Sequence, residues 1–109
     1  MSEFIIIETT YPNLEQAKNL AKILLTENFA ACVNFYTIES MYIWQGKLEN
    51  NPEILIRIKS KKSFFDEIEK IIKKHHGYML PEIISINIDE VEEKYGEWLQ
   101  NVALKKISD

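Results

Sequence analysis

Apolar residues along this chain change between two spacings, and each change marks an element. Phe4-Ile5-Ile6-Ile7-Glu8-Thr9 is a β-branched run without alternation, the pattern of a strand covered on both faces. Tyr11-Pro12-Asn13 stops it, and Asn13 followed by Gln16 reads as a capping box opening a helix. That helix carries Leu14, Ala17, Leu20, Ala21, Leu24 and Leu25 on one face with a 3.6-residue period, and should end near Asn28. From Ala31 the period becomes two. Cys32, Asn34, Tyr36, Ile38, Ser40, Tyr42 and Trp44 share one face of a strand, with Val33, Phe35, Met41 and Ile43 on the other. Gln45-Gly46 is a tight hairpin turn, its Gly supplying positive φ.

Lys47 starts the return strand, in which Ile54, Ile56 and Ile58 alternate. Ser63, with Asp66 three residues on, is a second N-cap candidate. The helix after it turns Phe64, Ile68, Ile71, Ile72 and His75 inward and pairs Asp66 with Lys70 and Glu69 with Lys73 at i,i+4. Gly77 is the expected left-handed residue past its end. Pro81 precedes a last strand, Glu82 to Ile88. Asp89 with Glu92 then caps a final helix whose stripe is Val91, Tyr95, Trp98, Leu99 and Val102, interrupted by Gly96.

The predicted order is β-α-β-β-α-β plus a C-terminal helix. That is an α+β, ferredoxin-like arrangement: an antiparallel four-stranded sheet with two helices on one face. The 109 residues form one domain, 1–109, large enough for one core and too small for two. The strand from Cys32 to Trp44 would span on the order of 40 Å, well beyond the common ~17–20 Å. Its length, and an aromatic sheet face without helices, point to pairing between subunits. The competing reading is a bulge around Tyr36–Ser40 within a monomer.

Composition narrows the partners. A net charge of −4 and no basic patch argue against nucleic acid. No apolar run approaches a membrane span, and no leader pattern is visible. A single cysteine fits a reducing compartment, so a cytoplasmic protein is expected. Catalysis is not expected: with three glycines there is no phosphate-binding glycine loop, and no nucleophile elbow or triad order is present.

The candidate chemistry lies in His75-His76-Gly77-Tyr78-Met79-Leu80-Pro81-Glu82 and in Cys32. Thiolate, imidazole and thioether are soft or borderline ligands suited to Cu(I) or zinc, so Cys32, His76 and Met79 are the metal candidates. The plainer readings are a small buried thiol for Cys32, a core side chain for His75, and for His76 a surface group at a helix C-terminus.

Ala31-Cys32-Val33-Asn34, Ser40-Met41-Tyr42-Ile43-Trp44-Gln45-Gly46-Lys47, Lys59-Ser60, Lys73-Lys74-His75-His76-Gly77-Tyr78, Pro81-Glu82-Ile83-Ile84 and Tyr95-Gly96-Glu97-Trp98-Leu99 run through nearly the whole chain. In that order they resemble the CutA divalent-cation-tolerance family. The resemblance implies a tight homotrimer similar in architecture to PII signalling proteins. It implies a link to tolerance of copper and other divalent metals, with Cys32 and His76 at the family's copper positions. It also implies inter-subunit clefts using Tyr42, Trp44, Lys59, Tyr78 and Glu82, which in a PII-like sensor would hold a small anion or a protein partner. The chain departs from the family pattern at Gly77, where Pro is usual, at Met79, where Glu is usual, and in Phe35–Ser40, which lacks the common Pro-Gly.

Overall fold

Backbone pairing gathers the alternating segments into one sheet. The structure, a computed structural model, describes residues 3–103. Its elements are β1 (Phe4–Tyr11), α1 (Leu14–Thr26), β2 (Ala30–Trp44), β3 (Lys47–Lys61), α2 (Phe65–Lys74), β4 (Ile84–Asn87) and α3 (Glu93–Val102). The sheet order is β2-β3-β1-β4, and every neighbouring pair is antiparallel. This is the predicted ferredoxin-like topology, in which each helix crosses over an intervening strand.

The alternation sorts the sheet's two faces. Ile5, Ile7, Tyr11, Ile56 and Ile58 are buried with Ala17, Leu20 and Leu24 of α1 and Ile68 and Ile72 of α2. The opposite face holds Ile6 and Glu8 on β1, Lys59 and Arg57 opposite them on β3, and Cys32 and Asn34 opposite those on β2. α3 lies beside β2 and β3, and Lys59 Nζ sits 5.7 Å from the Tyr95 ring. Gly96 lets α3 pack closely there, since a Cβ would crowd Val91 Cγ1 at 3.0 Å.

Helix ends follow local chemistry, not always as expected. Asn13 Oδ1 accepts from Gln16 N–H at 2.9 Å. At the other end of α1, Asn28 takes φ 63° while its N–H and that of Phe29 bond the Leu25 and Leu24 carbonyls, a Schellman closure. Ser63 is not the cap of α2: a 3-10 turn, Lys62–Phe64, leads into that helix, and no side chain caps it. Lys70 pairs with Glu67 at 3.6 Å rather than Asp66, whereas Glu69–Lys73 forms at 3.7 Å. Glu92, not Asp89, caps α3, accepting from the Lys94 and Tyr95 N–H groups. These bonds favour its ionised form and lower its pKa.

β2 has its irregularity at Ala31, between Ala30 and Cys32. From Cys32 to Trp44 the register is unbroken, so the competing reading, a bulge around Tyr36–Ser40, is overturned. β1 pairs with β3 only from Ile54 to Lys61. The seven pairs from Ile38↔Glu53 to Trp44↔Lys47 therefore form a two-stranded arm with no third strand beside it among the described residues. Gln45 (φ 52°) and Gly46 (φ 79°) turn its tip with positive φ at both central residues. A Gly46→Val change should cost about 1–2 kcal/mol through the left-handed backbone, read as a lower midpoint in chemical denaturation.

Candidate functional site

Along this arm, from Glu53 at its base to Trp44 and Gln45 at its tip, the chain folds a cleft of about 640 Å³. Tyr42 and Trp44 of β2, Glu53 of β3 and Tyr78 and Glu82 of the segment after α2 contribute to its walls. Asn51 Nδ2 donates to the Tyr42 hydroxyl at 3.0 Å. The Tyr78 hydroxyl donates to Glu53 Oε2 at 2.9 Å, and Glu53 is buried. Burial first, and then the bond to Glu53, push the Tyr78 hydroxyl up to about 12. Glu82 is exposed overall, but partial burial of its carboxyl, followed by the charges of Glu8 and Glu53, raises its pKa.

His76 fastens the wall that carries Tyr78. α2 ends at Lys74, one residue short of the expected inward His75, and the chain then leaves the helical path. His75 is consequently exposed and His76 half-buried, the reverse of the sequence expectation. Gly77 has no positive φ; the positive-φ glycine among the described residues is Gly46. His76 Nε2 lies 2.7 Å from the Thr10 carbonyl, which can only accept, so Nε2 carries the proton. Nδ1 then accepts the Tyr78 N–H at 3.0 Å. The ring also stacks at 4.2 Å on Tyr11 and 4.7 Å on Tyr78. Burial is the leading cause of its lowered pKa, opposed by the Thr10 bond and Glu53.

Of the residues singled out from sequence, Tyr42, Trp44, Tyr78, Met79 and Glu82 share the cleft. Lys59 does not: it lies under Tyr95. Cys32 faces Lys59 across the hairpin, which places it on the order of 15 Å from His76 by strand spacing. Its thiol makes a 3.9 Å contact with Asn34 Oδ1. Met79 is 86% exposed. The metal candidates of one subunit therefore do not converge, and both His76 nitrogens are already bonded. Among the described residues, no group of three or more His, Cys, Asp or Glu is placed to hold a metal ion. Sequence reasoning missed Glu53 and the Thr10 carbonyl. Their partners are 25 and 66 residues away along the chain, so no local spacing reveals them.

Comparison with known proteins extends these observations. The family profile described as CutA1 divalent ion tolerance protein matches residues 5–102. A divalent-cation tolerance protein CutA of Pyrococcus horikoshii is 38% identical over 87% of this chain and 93% of its own length. A chloroplastic CutA 1 of rice is 41% identical over 89% of this chain, which spans 55% of that longer relative. The solved structure described as the periplasmic divalent cation tolerance protein CutA of Archaeoglobus fulgidus superposes with a TM-score of 0.90 at 33% identity. That alignment covers 93% of this chain and 99% of the other. Among the described residues no helix is long and apolar enough to cross a membrane. The profile match, the identities and the shared fold agree: the chain belongs to the CutA1 divalent-ion-tolerance family.

Proposed function

We propose that the chain acts without catalysis as a homotrimeric divalent-cation-tolerance protein, its subunits joined through the β2–β3 arm. The observation that carries this reading is the arm itself. It exposes Met41, Ile43 and Leu48, each about two-thirds accessible, on a two-stranded ribbon. Such a ribbon is marginal alone in water, and so much apolar surface calls for cover. Copper, with zinc or another divalent cation as the alternative, enters through the sulfur donors Cys32 and Met79. Assembly can supply these from different subunits, whereas His76 is engaged in holding the cleft. A reducing, cytoplasmic setting that keeps Cys32 a thiol completes the reading.

A Cu(I) competition titration on the reduced protein, with zinc alongside, tests the metal part. Cys32→Ser and Met79→Leu should each weaken Cu(I) binding by about tenfold or more, in keeping with the loss of a soft ligand. His76→Gln should leave it unchanged. Loss of binding in His76→Gln alone would return that residue to the ligand set.

A second reading is favoured by the meeting of Tyr42, Trp44, Tyr78 and Glu82 in one cleft. It makes the protein a PII-like sensor or interaction module. Thermal shift separates the two, since a ligand stabilises the state that binds it. Metals should stabilise a metal-handling protein, and small molecules a sensor.

A further inference from the structure

The cleft carries a charge pattern opposite to that of an anion site. Among the described residues its lining includes the carboxylates Glu53 and Glu82 and no lysine, arginine or histidine. On the same sheet face, Arg57 Nε is committed to Glu8 at 2.8 Å and Lys59 to the Tyr95 ring, while Lys47 pairs opposite Trp44 at the tip of the arm, outside the cleft lining. Glu82 has no ion pair among the described residues, and its nearby charges, Glu8 and Glu53, are of like sign. Glu53 is buried with the Tyr78 hydroxyl as its donor. Three aromatic side chains, Tyr42, Trp44 and Tyr78, stand in the same walls. The Tyr42 and Tyr78 hydroxyls are held by Asn51 and Glu53, which fixes the placement of their rings.

Aromatic faces attract cations through the ring quadrupole, and more strongly where water is excluded. A carboxylate beside them supplies the counter-charge and accepts N–H bonds. A bare divalent ion would instead want a converging set of oxygen, nitrogen or sulfur donors, and the described residues do not assemble one here. At about 640 Å³ the cleft falls within the ~300–1,000 Å³ typical of small-molecule sites.

We propose that the cleft binds a small organic cation, an ammonium or guanidinium group on a short aliphatic chain, against Tyr42, Trp44 and Tyr78 with Glu82 and Glu53 as counter-ions. This inference rests on the cleft reading above and replaces its small anion with a ligand of opposite charge. His76 serves the site indirectly, by tying the Tyr78 backbone to β1.

Isothermal titration of the full-length protein in its native assembly state tests the idea with four probes: agmatine, tetramethylammonium, succinate and zinc chloride. Agmatine is expected to bind, more weakly as salt rises, and succinate is not. Glu82→Gln and Trp44→Leu should each weaken agmatine by roughly tenfold, the loss expected when a central contact is removed. Glu15→Gln, on α1, should change nothing. Succinate binding in place of agmatine would overturn the organic-cation assignment and leave the cleft reading standing. Zinc as the sole binder, or no probe binding at all, would overturn both. Agmatine binding that survives both cleft substitutions would place the cation elsewhere and overturn the proposal.

Discussion

Glutamate at both Ile43 and Leu48 should leave the protein monomeric while its core survives. The two residues face each other across the arm and are 67% and 66% exposed in the single chain. Burying one such side chain is worth ~1.5–3 kcal/mol. Removing two from each interface therefore costs on the order of 3–6 kcal/mol, or roughly two to four powers of ten in association. The introduced carboxylates add a desolvation penalty to any residual contact. Neither residue belongs to the buried core of Ile5, Ile7, Ile56, Ile58, Ile68 and Ile72. Sedimentation should thus show the mass of three subunits for the parent and of one for the variant, with far-UV circular dichroism retained. A variant that still sediments as a trimer would move the interface to another apolar surface, such as Tyr36, Ile84 and Ile86 on the open sheet face.

The arm also shows what the sequence made legible. Period two placed Cys32 through Trp44 on the correct faces, and Gln45-Gly46 on the correct turn, because both are local backbone requirements. Sheet order followed from element order. What local spacing could not reveal was position along a shared face. Lys59 lies on the same side of the sheet as Tyr42, yet it pairs opposite Cys32 while Tyr42 pairs opposite Glu49. Ten residues of strand therefore separate it from Tyr42 and six from Glu53, whatever face it shares. The histidines failed for another reason. Helical periodicity assigns His75 inward only if the helix continues, and α2 stops at Lys74. Beyond that point the long-range partner Thr10 decides which imidazole is enclosed.

His76→Ala should then be among the most destabilising single changes outside the core. It removes two ring contacts worth ~0.5–1.5 kcal/mol each and two hydrogen bonds worth ~0.5–1.5 kcal/mol each, about 2–6 kcal/mol together. The same enclosure sets a pH dependence. Because burial lowers the folded-state pKa of His76 below the ordinary 6.5, the unfolded chain takes up its proton first. Its stabilisation is complete above that ordinary value and is lost as pH falls from it toward the depressed folded value. Protonating Nδ1 would set an N–H against the Tyr78 N–H, so the wall of the cleft loosens as the charge appears. Glu82 acts with the opposite sign, its raised pKa favouring the folded state as it protonates. Denaturation midpoints measured from neutral pH down to about pH 5.5, compared between the parent and His76→Gln, isolate the histidine. The parent should lose stability across that interval, and His75→Gln should follow it. His76→Gln should start lower and run flat. A slope that persists in His76→Gln would assign the acid sensitivity to another group. A histidine whose loss changes stability and pH slope but not Cu(I) affinity is a structural latch, and that result would leave Cys32 and Met79 as the soft-metal donors to be tested across subunits.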